Sequence, residues 1–164
     1  MPRMNPTAQL YDYATQILAS RDFFERSTSV LEEADSEFRP REEMMTVAQH
    51  VMHVAQTLDW FIDGVTQPAG FNLNFEEQAE LMKQTKSLAA ARASFTRACH
   101  RVCQYLGSKT PEQLAKPLPP GPIMGGQPES EIVWAMVEHT AHHRGALTIY
   151  SRLLGKVQPM PYGG

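Results

Sequence analysis

Three of the chain's six histidines stand together in the segment Glu138-His139-Thr140-Ala141-His142-His143-Arg144-Gly145. His139 and His143 are four residues apart. On a helix, about 100° per residue brings the second imidazole to within about 40° of the first, one turn away. Two imidazoles so placed can hold a metal ion. An isolated pair with this spacing is more often two core histidines bonded to each other, to backbone or to water. Here a second source exists upstream, in His50 and His53. Helix bundles build metal sites from side chains on facing helices. Two ligands from one helix and one from another make a facial set, and three neutral imidazoles leave a position open for water or substrate, as in catalytic zinc sites. No Cys, His or acid is obviously spaced to close the set as a fourth ligand. His142 lies on a flank, about 100° from His143, and Glu138 is offset from His139 by the same angle, which argues against it as a general base.

These side chains need helices to position them. A stripe of Leu10, Ala14, Ile17, Phe24 and Leu31 predicts a first helix over about residues 7–33. Residues 34–45 contain Pro40, lose the period and read as a connection. Thr46-Val47-Ala48-Gln49 matches a capping box and opens a second helix to about residue 65, with Val47, Val51, Val54, Leu58, Phe61 and Val65 as its apolar stripe. With Val51 at the stripe's centre, His50 sits about 100° to one side and His53 about 160° round. The helical wheel prefers His50 as the partner, although either faces a cavity if the helix is buried on more than one side.

A third helix is predicted over about residues 75–106, capped by Asn74, with Leu81, Thr85, Leu88, Phe95, Cys99, Val102 and Leu106 on one face and Gly107 closing it. Arg92 interrupts that face and is expected to snorkel to the surface. Thr110-Pro111 starts a short helical turn. Residues 116–128 (KPLPPGPIMGGQP) form a Pro/Gly-rich loop, expected to rim the site ahead of the last helix. That helix spans about residues 130–154, with Ile132, Met136, His139, His143, Leu147, Tyr150 and Leu154 along one face and Gly155 at its end. No repeat or strand-like alternation is present. The fold class is all-α: one domain over residues 1–164, an antiparallel four-helix bundle with at least one long connection.

Composition narrows the function classes. Charged residues are 20% of the chain and the net charge is -3, which offers no electrostatic attraction to nucleic acid. No apolar run approaches the ~20 residues of a membrane span. Met1-Pro2-Arg3-Met4-Asn5-Pro6 lacks the apolar segment of a signal peptide, so a cytoplasmic location is expected. Cys99 and Cys103 are spaced to share a helix face; two reduced core thiols are the expectation, over a metal-binding pair. His100 is expected at the surface, Trp60 and Trp134 in packing or interface roles.

Thr46-Val47-Ala48-Gln49-His50-Val51-Met52-His53 resembles the opening of helix two in the DinB family (DinB/YfiT-like metal-dependent four-helix proteins), where the ligand histidine follows the Ser/Thr by seven residues. His139-Thr140-Ala141-His142-His143-Arg144-Gly145-Ala146-Leu147 resembles that family's H-x-x-H-H-R-G-Q-L signature, and the Gly155 and Pro159-to-Tyr162 ending also fits. The resemblance spans most of the chain. It implies His53, His139 and His143 as the metal ligands, overriding the wheel's preference for His50. The implied cofactor is a divalent transition metal, zinc or nickel first, with manganese or iron as alternatives. Ala146 departs from the family's Gln and removes a polar group near the site. Arg144 is expected to pair with a carboxylate on another helix.

The resemblance further implies a thiol-dependent S-transferase acting on a small-molecule substrate, with a low-molecular-weight thiol as partner. The alternatives are a metal-dependent hydrolase and a non-catalytic, stress-associated metal-binding protein. A homodimer is also expected, through apolar faces left exposed, on helix two especially.

Overall fold

The computed structural model describes residues 6–163, with side chains from residue 13 onward; Leu10, on the expected first stripe, lies outside the described side chains. Four long helices form the bundle: α1 (Pro6–Thr28), α2 (Val47–Thr66), α4 (Leu88–Gly107) and α6 (Glu131–Leu153). Two short ones, α3 (Phe75–Lys83) and α5 (Pro111–Leu114), lie in the connections, with a 3₁₀ turn at Glu33–Asp35. No strand occurs among the described residues. None of their helices is long and apolar enough to cross a membrane.

Around the bundle, α1 packs on α4 and α6, and α2 packs on α4 and α6. The side-chain pairs give the directions. Phe24 meets Phe95 with ring centroids 4.8 Å apart, and Cys103 reaches the carbonyl of Ala14, so α1 and α4 are antiparallel. His50 meets His143 and His53 meets His139, so α2 and α6 are antiparallel. Gln49 donates to the carbonyl of Lys83, just ahead of α4, whereas Asp59 and Asp63, further along α2, pair with Arg101, further along α4. Hence α2 and α4 run parallel. A parallel pair demands a connection that returns the length of α2, about 30 Å for twenty residues at 1.5 Å each.

That return is where the single long third helix predicted over residues 75–106 fails. A straight helix of that length would measure about 48 Å and overshoot the bundle. The chain instead breaks at residues 84–87: α3 runs back along α2, from Phe75 beside Trp60 to Lys83 beside Gln49, and α4 starts afresh. The break is held by three hydrogen bonds to the new helix's free amides. Leu88 N–H donates to Ser36 Oγ (2.9 Å), Ala89 N–H to Glu33 Oε2 (2.7 Å), and Ala90 N–H to Ser87 Oγ (3.1 Å). On α3, Met82 is buried and Leu81, assigned to the stripe, is exposed.

Elsewhere the expected elements form. Thr46 Oγ1 accepts from Gln49 N–H at 3.2 Å while Gln49 Oε1 accepts from Thr46 N–H at 2.9 Å, a reciprocal cap that starts α2. Thr110 caps α5 in the same way. The first helix stops at Thr28 rather than near residue 33, although Leu31 is still buried beyond it. Gly155 ends α6 with φ +74°, a left-handed conformation that glycine adopts without cost. Just beyond it Lys156 pairs with Asp35 (2.6 Å) and Glu32 (2.9 Å), tying the tail to the 3₁₀ turn.

Arg92 does not snorkel to the surface. Its guanidinium turns onto α1, pairing with Glu25 at 2.7 Å and donating to the Thr28 carbonyl at 2.7 Å, at the helix end where a cation is favoured. Arg144 lies over the rings of Phe23 and Tyr162, at 5.8 and 5.9 Å, rather than on a carboxylate, a cation–π arrangement that holds the tail against α1. The large exposed apolar side chains among the described residues sit on α3, α6, the tail and the loops before α2 and α3 (Phe75, Trp134, Ile149, Leu153, Met44 and Leu73 among them), and not on α2 as expected.

Candidate metal centre

The α2 cap sets the geometry of the site. With Thr46 as N-cap, His50 and His53 fall on the first two turns, three residues apart and therefore about 60° apart in direction. Both project toward α6. His50 Nδ1 lies 2.9 Å from His143 Nδ1, and His53 Nε2 lies 3.2 Å from His139 Nε2. The helix is buried on two sides: Val47, Val51 and Val54 lie in the core while its histidine-bearing flank meets α6. The wheel's choice between His50 and His53 therefore had no single answer.

His53, His139 and His143 each bring a ring nitrogen within 4.8 Å of the other two, and they are the one group of His, Cys, Asp or Glu so arranged among the described residues. The rings pack at centroid separations of 5.0 Å (His53–His139), 4.9 Å (His53–His143) and 4.5 Å (His139–His143). The 3.2 Å between the His53 and His139 nitrogens is close to the edge, about 3.4 Å, that two imidazoles span on a tetrahedral ion at about 2.05 Å. The donor set therefore fits a divalent metal both in spacing and in kind.

Electrostatics point the same way. Burial pushes the His143 pKa down to about 2, helped by the neighbouring imidazoles, and His139 to about 4 by burial and then His53. His53 is lowered chiefly by burial, and His50 is taken by burial to about 4. At neutral pH all four rings are uncharged and offer lone pairs, the form that binds metal.

The covering of the site differs from expectation. Residues 116–128 do not rim it: residues 117–123 of that loop meet the far end of α2, lining a cavity of about 330 Å³ with Gly64, Val65 and residues 67–71. Gly64 is eleven residues from His53, roughly 16 Å along the helix. The element beside His53 is α3. Phe75, Gln78, Ala79 and Met82 join Met45, Gln56 and Thr57 in a pocket of about 150 Å³ that includes His53. These residues escaped the sequence reading because α3 had been merged into a longer helix; the Ser87-Leu88 cap was the available signal.

The remaining candidates fall outside the cluster. His142 is exposed at the edge, its ring 5.0 Å from that of His143. Glu138 and His100 are exposed. Cys99 is a buried free thiol whose pKa burial pushes up to about 12, and Cys103 is half-buried, so neither is a ready thiolate.

A model of the DinB family matches residues 4–164. The chain belongs to the DinB family. No curated protein matches it. Among solved structures this DinB protein is similar to YfiT from Bacillus subtilis, described as a probable metal-dependent hydrolase with an unusual four-helix bundle topology. The TM-score is 0.71 at 18% identity, covering 95% of this chain and 94% of that one. At that identity the likeness is one of fold.

Proposed function

We propose that this DinB family member is a metal-dependent enzyme in which His53, His139 and His143 hold a divalent transition metal, and that its chemistry is thiol-dependent S-transfer to a small electrophile. The observation that carries the reading is the three-imidazole cluster, the one group of His, Cys, Asp or Glu among the described residues whose ligand atoms all lie within 4.8 Å of one another. Imidazole donors favour zinc or nickel over the harder, oxygen-preferring manganese. A divalent ion held by His53, His139 and His143 would lower the pKa of a thiol or water bound beside them and so supply a nucleophile at neutral pH.

The chain's own contribution is to position and to enclose. The pocket beside His53 has apolar walls from Met45, Phe75 and Met82 and amide groups from Gln56 and Gln78. Its size, about 150 Å³, suits a small substrate or one arm of a larger one. A hydrolase is the second reading, favoured by the description of YfiT and requiring the same open position.

The deciding experiment incubates zinc- or nickel-loaded protein with a panel of small thiols and a general electrophile, and separately with ester and amide substrates. Thiol consumption that disappears in His143→Ala supports transfer. Hydrolysis without thiol dependence, lost in the same variant, moves the reading to a hydrolase. Metal uptake with neither activity leaves a non-catalytic metal-binding protein.

A further inference from the structure

His50 is absent from the ligand set, yet it is buried and makes one of the shortest contacts at the site, Nδ1 to Nδ1 of His143 at 2.9 Å. Two ring nitrogens at that distance share one proton, since two lone pairs would repel and two N–H groups would clash. Two arrangements satisfy the pair. In one, His50 donates to His143, whose own proton then sits on Nε2; both nitrogens of His143 are then occupied and the ring cannot bind a cation. In the other, His143 Nδ1–H donates to His50 Nδ1, and His143 Nε2 carries a free lone pair able to bind a cation.

We infer that His50 is a positioning residue: its Nδ1 accepts the Nδ1–H of His143, fixing the tautomer and the plane of that ring so that Nε2 faces the metal position. This rests on the three-histidine reading above. A ligand histidine ordinarily gives its second N–H to a carboxylate, a carbonyl or water. In this chain a neighbouring imidazole takes that part. The acceptor is itself held. The ring of Tyr150 stands edge-on to His50 at 5.0 Å and 89°, and the Tyr150 hydroxyl donates to the Met45 carbonyl at 3.0 Å. Phe38 also packs on Tyr150, perpendicular to it at 5.9 Å. His50, Tyr150 and Phe38 thus form a series of ring contacts leading to His143, from three different segments of the chain.

The test compares His50→Leu, which removes the acceptor, with His50→Asn, whose Oδ1 reaches about as far from the backbone as the lost Nδ1. Zinc affinity is measured by chelator competition, and the tautomer of His143 by ring ¹⁵N chemical shifts of metal-free protein; helix content and metal-free melting establish that each variant is folded. The expected result is a roughly 10- to 100-fold loss of zinc affinity in His50→Leu, substantially restored in His50→Asn, with the wild-type His143 ring protonated on Nδ1. Affinity in His50→Leu within about threefold of wild type, or an Nε2-protonated His143 in the wild type, overturns the inference while leaving the three-histidine site standing. Wild-type protein that takes up no zinc overturns the metal reading itself, and this inference with it.

Discussion

The Nε2 atoms of His53 and His139 stand 3.2 Å apart across the interface of α2 and α6, too close for two bare lone pairs and well spaced for two ligands of one ion. Each belongs to a helix whose other face is core, so the pair cannot separate without opening the bundle. Metal-free protein must place a proton between the two rings; a divalent ion held by His53 and His139 would take that proton's place. Removing either ring, by His53→Ala or His139→Ala, is expected to lower zinc affinity by more than about 100-fold, beyond the 10- to 100-fold typical of residues that merely support a ligand. His100→Ala, on the exposed face of α4, should leave it unchanged. Chelator competition on protein purified without a histidine tag measures all three. Unchanged affinity in His53→Ala together with loss in His50→Ala would move the α2 ligand to His50.

The same burial makes the metal-free fold sensitive to acid. The folded pKa values of His50, His139 and His143 lie at about 4, 4 and 2, and that of His53 is lowered too, against about 6.5 when unfolded. The unfolded chain therefore binds more protons than the folded one below pH 6.5, and stability falls as the pH drops from about 6.5 toward 4. The contribution is present in full above 6.5. At pH 5 the loss is on the order of 2 kcal/mol for each of His50, His139 and His143, with His53 acting in the same direction. Urea midpoints of metal-free protein at pH 7.5 and 5.0 check this, with His139→Gln expected to lose less than wild type over the interval. Equal losses in the two proteins would contradict it.

What was legible in the sequence was local. The Thr46–Gln49 box, the Thr110–Pro111 start and the Gly155 stop each depend on residues within one turn of the feature they set, and each formed. The histidine stripe of α6 was legible for the same reason. The break before α4 was not, because two of its three amide acceptors, Ser36 and Glu33, come from more than fifty residues earlier. Arg92 was misplaced on the same account: its partners Glu25 and Thr28 belong to α1, and only the antiparallel packing of α1 on α4 supplies them. The pocket beside His53 follows from the break, since α3 can fold along α2 only if it is not continuous with α4.

Ser36→Ala tests how much that break costs to maintain. Ser36 is buried, and its hydroxyl is the acceptor for the buried Leu88 amide, the first of α4. Alanine leaves that N–H without a partner, at about 1–3 kcal/mol. The expected readout is a lower urea midpoint with an unchanged slope, the sign of lost stability in an otherwise intact fold. A change under about 0.5 kcal/mol would mean that Glu33 and Ser87 hold the break by themselves, as surface substitutions commonly cost no more.

At the other end of the return connection, Gly64 is buried in α2 with the ring of Phe71 seated against it; a Cβ on residue 64 would clash with Phe71 Cδ1. Phe71 in turn packs at a tilt against Trp60, with ring centroids 4.8 Å apart, and the Trp60 indole donates to the Asn72 carbonyl at 2.7 Å, so this contact anchors the segment that leads into α3. Gly64→Ala gains helix propensity worth about 1 kcal/mol but must push the ring away, an overpacking cost of about 1–3 kcal/mol or more. The net effect is expected to be destabilising. In a Phe71→Ala background the clash is gone and the same substitution should become neutral or stabilising. The coupling between the two changes is the quantity a double-mutant cycle reads, and a value near zero would show that Phe71 is not what keeps residue 64 a glycine. Because α3 hangs from this anchor, Gly64→Ala should also speed amide exchange in α3 more than in α4. The covering beside His53 is then held in part by a residue roughly 16 Å away along α2.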